Sequence, residues 1–350
     1  MPVDTPASPV IVIGDRLIKP SSASYTDPGN NQLYSFNASI SNSYLGEDKL
    51  KGEEISFYLN LGGRDSVPLF RGRITDIEPS ATETGIRALD NRTVITGSEA
   101  PAVEITDNKN YDGSTLGQFI FSYIDEVVNA DSTIIGLSAL RDTSPEVYLT
   151  GLRSKAKQAY SIILEKLLEA NDDTDMEEPL GWFVRMDEDG DSSNITLVKM
   201  RSITSDPDMI LSYQNGISDI SYRIRKPTTI ATVYGDKGVS STFEYGSTPD
   251  AFGRNAAKTV DDDTITSNAE AQQRGIREVL SGFIDQNEIE VVATKGHQLK
   301  PGHIIYLDIS VDSIRGNHRL IGKTITYSQS GGVTLRLKLG RLPSLLRQFI

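Results

Sequence analysis

The chain has no cysteine, one tryptophan and three histidines among its 350 residues. Without cysteine there are no disulfides, no thiolate metal ligands and no cysteine nucleophile. No apolar run approaches the roughly 20 residues that a membrane-spanning helix needs, so we expect no membrane span. Apolar residues make up 37% of the chain, which is low for one large core and favours several small β-domains with much surface.

Clusters of positive charge are also missing. The formal net charge is −13, and the densest basic positions (Arg336, Lys338, Arg341 and Arg347) are spread along a strand and the tail. Phosphate binding depends on concentrated Lys and Arg, because the release of counterions supplies most of the affinity. We therefore expect no sequence-specific nucleic-acid binding.

The acidic segments do not match a metal-binding motif. Asp187, Asp189 and Asp191 begin like a calcium loop, but the twelfth position is Val198, where an EF-hand needs a bidentate Glu. A hairpin turn is the better interpretation. The acidic stretches 172–178 and 261–263 are interpreted as solvated loops.

Other motifs for metals, cofactors or catalysis are missing as well. His297, His303 and His318 follow no recurring ligand spacing. There is no phosphate-binding loop and no dinucleotide fingerprint, and the serine of segment 113–117 is misplaced for a nucleophile elbow. We expect no metal, no cofactor and no enzymatic activity. A pair of carboxylates for glycoside hydrolysis stays open, because acidic residues are plentiful and their separation is unknown.

The most informative stretch is a predicted three-stranded meander over residues 300–339. Segment 303–309 is rich in β-branched and aromatic residues, 319–328 follows as a second strand, and Gly331-Gly332 forms a turn into the third. In that third strand Val333, Leu335, Leu337 and Leu339 alternate with polar residues, which buries one face. Three strands cannot close a core alone, so the meander predicts a small barrel or sandwich.

A similar pattern occurs earlier in the chain. Segments 51–59, 70–77 and 84–89 resemble segments 300–309, 320–327 and 331–336 in that order, and the spacing from Gly52 to Gly72 equals that from Gly302 to Gly322. Coincidence between two short meanders is the alternative explanation. We interpret the pattern as two similar β-domains in one chain.

The remaining segments complete the first half and its neighbour. Residues 10–13 and 34–44 are predicted strands, separated by a polar loop over 19–31. Residues 114–129 form a predicted helix with Ser114 as its N-cap, and 151–171 a second helix. Segments 182–187 and 195–200 form a predicted hairpin, so the middle of the chain is an α+β module.

The β pattern resumes at 217–225 and 229–235. A helix over 267–283 begins with Ser267 and Glu270 in capping-box spacing. The tail ends in four apolar residues, for which we predict a contact with a subunit or a tube: Leu345, Leu346, Phe349 and Ile350.

These observations predict a mainly β fold with α+β insertions, built on two similar small antiparallel β-barrel domains. The expected division is a first β-barrel at 1–104, an α+β module at 105–207, a second β-barrel at 208–240 and 284–342, a helical insertion at 241–283, and an apolar tail at 343–350.

This arrangement resembles the baseplate hub proteins of tailed phages, the late control protein D family, whose fold recurs in type VI secretion spike proteins. The resemblance rests on the meander 300–339, with Pro301-Gly302 and Gly322, and on the strand 218–235 that ends in Ala231-Thr232-Val233-Tyr234-Gly235. It implies no catalytic residue.

The resemblance implies a structural virion protein that forms a homotrimer. Three chains with two like barrels each form a pseudo-sixfold ring, which joins a hexameric tail tube to a trimeric tip or spike. The ring leaves a channel for the tape-measure protein and then DNA, and an acidic chain suits a lumen that must not retain phosphates.

Two other classes of function remain. One is a β-rich carbohydrate-binding module, although Trp182 is the single tryptophan of the chain and the sequence has no row of exposed aromatic residues. The other is a carboxylate-dependent glycan hydrolase.

Overall fold

The computed structural model describes residues 9–29, 32–42, 50–59, 67–93, 115–122, 137–139, 182–189, 192–224, 228–244, 257–284, 287–311 and 314–340. These residues are mainly β, as predicted. Their strands are β1 (Val10–Ile13), β2 (Arg16–Ile18), β3 (Ser22–Asp27), β4 (Ser35–Ser41), β5 (Glu54–Tyr58), β6 (Phe70–Pro79), β7 (Glu83–Asp90), β8 (Leu137–Ala139), β9 (Trp182–Asp189), β10 (Ser192–Lys199), β11 (Met209–Leu211), β12 (Ile217–Ile224), β13 (Ile230–Tyr234), β14 (Ser240–Glu244), β15 (Ala257–Asp261), β16 (Asn287–Ala293), β17 (Ile304–Leu307), β18 (Gly316–Ser328) and β19 (Gly332–Gly340). Helix α1 covers residues 116–122, and α2 is Asn268–Ile284.

Most of the strands belong to one large sheet. Its order is β12-β16-β19-β18-β3-β4-β7-β6-β5-β1-β2, and β17 pairs with both β18 and β11. Two smaller sheets have the orders β8-β10-β9 and β14-β13-β15, and α2 packs on β13 and β14.

The large sheet contains the same six-strand arrangement twice. The N-terminal repeat, as we call it, runs β3-β4-β7-β6-β5-β1, and the C-terminal repeat runs β12-β16-β19-β18-β17-β11. The two differ in their last pair, because β1 is antiparallel to β5 whereas β11 is parallel to β17.

The register of the strands shows which residues are equivalent. Each repeat has a β-bulge in its long strand, between Ile74 and Asp76 in β6 and between Leu320 and Gly322 in β18. A bulge is a fixed local feature of a ladder. Aligning the two bulges makes Ile74 equivalent to Leu320 and Asp76 equivalent to Gly322.

From that alignment the pairing of successive strands gives matching rows across the two repeats. The row in the N-terminal repeat is Ile74, Ala88, Phe36 and Tyr25, and the row in the C-terminal repeat is Leu320, Leu339, Ile289 and Tyr222. Every member except Tyr222 is buried. The turns before the first strands also match, since Gly52 and Gly302 have φ of 90° and 93°, a region that favours glycine.

The predicted strands of both meanders are confirmed, but part of the alignment between them was wrong. The equal spacing of the glycines matched Gly72 with Gly322, whereas the bulges make Gly72 equivalent to His318. The error is four residues. A shift of an even number keeps the alternation of faces, so the hydrophobic pattern does not detect it.

The largest error concerns β3, which lies inside the predicted polar loop over residues 19–31. It pairs with β4 on one side and with β18 on the other, so it is the strand that joins the two repeats. Its residues alternate between half-buried and buried, and Ala23, Tyr25 and Asp27 face the core. The serines that suggested a loop occupy the other face.

Segment 229–235 was expected in the second β-domain. Its strand β13 instead pairs with β14 and β15, outside the large sheet. The helix after it is confirmed with its capping box: the Glu270 amide donates to Ser267 Oγ at 3.3 Å, and the Ser267 amide donates to Glu270 Oε2 at 3.1 Å.

Helix α1 begins one residue later than predicted. The Gln118 amide donates to Thr115 Oγ1 at 3.3 Å and the Thr115 amide donates to Gln118 Oε1 at 2.9 Å, so Thr115 forms a cap, while the predicted cap Ser114 lies outside the described residues. Leu116, Phe119 and Ile120 are buried, as the helical spacing predicts. The rest of this helix, 123–129, and the predicted helix 151–171 lie outside the described residues.

One hydrophobic cluster includes side chains from both repeats and from the predicted hairpin β9-β10, which is confirmed. At its centre the ring of Phe36 lies 5.0 Å from that of Phe57 and 5.4 Å from that of Phe70. Aromatic side chains bury large areas, so this trio is a main source of stability in the N-terminal repeat.

Candidate functional site

The large sheet has a core face and a polar face, and the polar face is the principal candidate surface. Short hydroxyl and amide side chains cover its centre: Ser22, Ser24 and Thr26 on β3, Ser35, Asn37 and Ser39 on β4, and Thr324 and Thr326 on β18. Two open cavities of about 590 and 280 Å³ lie on this face. The polar face is therefore concave.

Charged residues of both signs surround this centre. Asp76 lies opposite Arg87 across β6 and β7. On the far side, Arg336 Nη1 lies 2.6 Å from Glu290 Oε1, and both side chains are about half exposed. Such an exposed pair adds little stability, but it neutralises a cation on the concave wall. The polar face is rich in hydroxyls and mixed in charge.

The junction of the two repeats is a continuous ladder with buried charges beneath it. Six residue pairs join β3 to β18, from Asp27 opposite Lys323 to Ser22 opposite Ser328. Burial lowers the pKa of Lys323 to about 8 although Asp27 opposes the shift, and burial raises the pKa of Asp27 to about 6. Lys323 Nζ donates hydrogen bonds to the backbone carbonyl oxygens of His297 and Leu299, at 3.0 and 2.6 Å.

A second buried charge pair connects the N-terminal repeat to the hairpin β9-β10. Arg92 Nη2 lies 2.7 Å from Asp90 Oδ2, and both side chains are fully buried. The guanidinium also lies over the ring of Tyr34, 4.6 Å from its centroid. The hydroxyl of Tyr34 accepts a hydrogen bond from the amide of Met186 in β9 at 3.1 Å. These contacts fix the hairpin against the large sheet.

A cavity of about 440 Å³ lies near the junction and is lined by Tyr25, Asp27, Glu188 and Lys323, among other residues. Burial raises the pKa of Glu188 to about 7, and Glu188 accepts a hydrogen bond from Ser193 Oγ at 2.7 Å. Two carboxyl groups in one cavity are what a glycan hydrolase needs. However, Asp27 is only 2% exposed and lies opposite Lys323 in the ladder between β3 and β18, so little of its carboxyl group is open to a substrate.

Three of the residues singled out in the sequence have structural partners: Asp187, His303 and His318. Asp187, in β9, forms ion pairs with Arg185 and Lys300. His303 Nδ1 accepts a hydrogen bond from the Lys300 amide at 3.3 Å, and His318 Nε2 lies 2.7 Å from the Ile314 carbonyl oxygen. Among the residues that the structure describes, no group of three or more His, Asp or Glu side chains is placed to hold a metal ion.

The predicted contact residues of the tail, Leu345, Leu346, Phe349 and Ile350, lie outside the described residues. In the described ranges no helix is both long and apolar enough to cross a membrane.

This fold is shared with phage tail proteins and with a component of the type VI secretion system, as the resemblance in the sequence predicted. The structure is similar to a tail protein from Neisseria meningitidis MC58, with 13% identity, coverage of 96% of this chain and 97% of that chain, and a TM-score of 0.64. It is also similar to the 43 kDa tail protein of prophage MuSo2 from Shewanella oneidensis, with 11% identity, coverage of 97% and 98%, and a TM-score of 0.65.

A third similar structure is the E. coli c3393 protein, described as a component of the type VI secretion system with structural similarity to the T4 bacteriophage tail proteins gp27 and gp5. Here the identity is 10%, the coverage is 96% of this chain and 80% of that chain, and the TM-score is 0.51. No family model matches the sequence, and no curated protein matches it. At such low identities the likeness concerns the fold.

Proposed function

We propose that this protein is a structural, non-enzymatic component of a phage-type tail, in which three copies form the hub. The observation that carries the proposal is the repeat within the chain. Two half-sheets share strand order, bulge position and core rows, although their sequences differ. One chain thus presents two similar surfaces to anything that lies along the ring.

The repeat explains how a threefold object meets a sixfold one. Three copies with two like half-sheets each give six similar units around one axis, so one face of the ring matches a hexameric tail tube. We propose that the other face holds a trimeric tip or spike. The two repeats are not identical, since β11 pairs with β17 in parallel whereas β1 pairs with β5 antiparallel, and such differences reduce a sixfold arrangement to a threefold one.

The concave polar face is the proposed wall of a channel for the tape-measure protein and then DNA. Hydroxyl side chains fill its centre, and its cations stand near carboxylates, as in the pair of Arg336 with Glu290. A wall of concentrated Lys and Arg would retain phosphates through counterion release. This wall has mixed charge, which supports passage rather than binding.

The proposed partners are further copies of this chain, the tail-tube protein, a tip or spike protein and the tape-measure protein, and the location is the virion tail after assembly in the host cytoplasm. The names of the similar structures, which are tail proteins and a type VI secretion component, support this assignment.

We propose that the apolar tail, with Leu345, Leu346, Phe349 and Ile350, contacts a subunit or the tube. Hydrogen exchange on the assembled particle tests this: protection is expected, and an unprotected tail contradicts it.

The test of the hub is the mass of the purified protein by light scattering, followed by class averages in negative stain. We expect a trimer with six similar lobes around a hole, either alone or after mixing with tube and tip proteins. A protein that stays monomeric and does not join co-expressed tube protein would overturn the proposal. A carbohydrate-binding module would then be the next function to test.

A further inference from the structure

We infer that neighbouring copies of this chain join by antiparallel pairing of the second half of β6 of one copy with β12 of the next. The inference rests on the proposed function, because it describes how the proposed ring closes. It comes from the ladder between β3 and β18, which is the same kind of junction made within one chain.

The repeat contains the two halves of that junction a second time. By the alignment of core rows, β12 is equivalent to β3, and the second half of β6 is equivalent to the second half of β18. In the described part of the chain, β12 is the terminal strand of the large sheet and pairs only with β16. The stretch from Asp76 to Pro79 pairs with β7 on one side and with no described strand on the other.

The difference in burial supports this equivalence. Tyr25 of β3 is 2% exposed beneath its junction, whereas its equivalent Tyr222 of β12 is 48% exposed. Likewise Asp76, Glu78 and Pro79 are exposed, while the equivalent stretch of β18 is buried or half-buried. An exposed tyrosine on an unpaired edge strand suits a surface that pairs with another chain.

The register of the existing junction predicts the register of the new one. Within the chain, Thr324 lies opposite Thr26 and Thr326 lies opposite Ser24. Their equivalents place Glu78 opposite Arg223 of the next copy, and Ser80 opposite Ser221 of the next copy. The first pair brings opposite charges together, which stabilises a cross-strand contact.

The same register places Tyr222 of the next copy opposite Pro79, on the core face. Proline has no N–H group, so this ladder has fewer hydrogen bonds than the one between β3 and β18. The hairpin after β6 is also tight, since the Ser80 amide donates to the Glu83 carbonyl at 2.8 Å. A short edge with a proline pairs poorly with arbitrary strands, which favours a selective contact with β12.

Each copy thus offers one edge of each kind, so the contact is head-to-tail. Head-to-tail contacts form a ring when their rotation closes. The junction within the chain relates two like half-sheets, and the proposed junction relates two like half-sheets of different copies. Similar rotations at both junctions give a ring of evenly spaced half-sheets.

Engineered disulfides test the register, because the chain has no cysteine of its own. The test variant of this chain carries Glu78→Cys and Arg223→Cys, at positions that the proposed register places opposite each other. Opposite residues of an antiparallel pair are about 4.5–5.5 Å apart at Cα, which is within disulfide range. The control combines Glu78→Cys with Asp219→Cys, which lies four residues along β12 and about 13 Å away. Under mild oxidation we expect cross-linked dimers and trimers from the first variant and only monomers from the control on a denaturing gel.

Charge reversal provides a second measurement. Glu78→Arg is expected to weaken association about tenfold, because it places a cation at position 78 opposite the cation of Arg223 in the next copy. The added change Arg223→Glu is expected to restore association. A trimer by light scattering that neither cross-links nor responds to charge reversal overturns this junction and leaves the hub proposal intact. If no oligomer forms even with tube and tip proteins, both proposals fail.

Discussion

Replacing Tyr25 by alanine should destabilise the fold, whereas replacing its equivalent Tyr222 by alanine should weaken the association of copies. Tyr25 is 2% exposed, its ring centroid lies 6.2 Å from that of Tyr34 and 5.8 Å from that of Phe70, and the ammonium of Lys323 lies 5.6 Å from it. Truncating a buried aromatic side chain costs about 3–5 kcal/mol, and the loss of aromatic pairs accounts for about 0.5–1.5 kcal/mol each. We expect Tyr25→Ala to lower the free energy of unfolding by about 4 kcal/mol.

In a monomer, Tyr222→Ala should change that free energy by no more than about 0.5 kcal/mol, because the side chain is 48% exposed. It should instead weaken the association of copies. The assay is urea unfolding at protein concentrations where light scattering shows a monomer. Circular dichroism and the fluorescence of the single tryptophan, Trp182, monitor the unfolding transition. Tyr25→Phe is the control that keeps the ring. A loss below about 1 kcal/mol for Tyr25→Ala, or equal losses for both tyrosines in the monomer, would refute the reasoning.

Three further predictions concern buried charge and backbone strain. Burial raises the pKa of Glu188 to about 7, so the folded protein binds the proton of Glu188 more tightly than the unfolded chain does. The free energy of unfolding should therefore fall by roughly 2–3 kcal/mol as the pH rises from about 4 to 7. In urea titrations Glu188→Gln should flatten this pH profile, and an unchanged profile argues against the prediction. Arg92→Met leaves Asp90 charged and buried, so it should cost about 3–5 kcal/mol, and adding Asp90→Asn should recover part of the loss; simple addition of the two losses in thermal melts would speak against a coupled pair. Gly29→Ala should destabilise the junction by about 1–3 kcal/mol, because φ is +67° and a Cβ would lie 2.0 Å from a carbonyl oxygen of β18, while Gly14→Ala, with open space around it, should cost less; equal costs would contradict the steric argument.

Much of the fold could be predicted from local patterns. The alternation of Leu335, Leu337 and Leu339 with polar residues predicts a half-buried strand, and β19 has that burial. The spacing of Ser267 and Glu270 predicts the start of α2, and both hydrogen bonds of the capping box are present. These features depend on neighbours a few residues apart, which the sequence shows directly.

The strand that joins the repeats could not be identified in the same way. Ser22, Ser24 and Thr26 read as loop residues, and β3 becomes a strand because β4 and β18 pair with it on both sides. Strand formation here depends on long-range pairing more than on local preference. The one local signal was the alternation of Ala23, Tyr25 and Asp27 on the other face, and Asp27 is a residue type that β-strands disfavour.

The concave polar face and the junction edges also follow from pairing rather than from motif. No short motif distinguishes Tyr222, on an open edge, from Tyr25, under a closed junction. The distinction comes from counting which strands have two neighbours.

The junction between β3 and β18 also has a consequence for the order of events during synthesis. About 300 residues separate the two strands in the chain, and ribosomes add roughly 5–20 residues per second. One edge of β3 therefore waits on the order of 15–60 s for its neighbour to leave the ribosome. The hydroxyl side chains of β3 help to keep that edge soluble during the wait, since polar edge strands resist pairing with other chains. A nascent chain that stops before β18 lacks the closing strand, so only chains translated past β18 can complete the sheet.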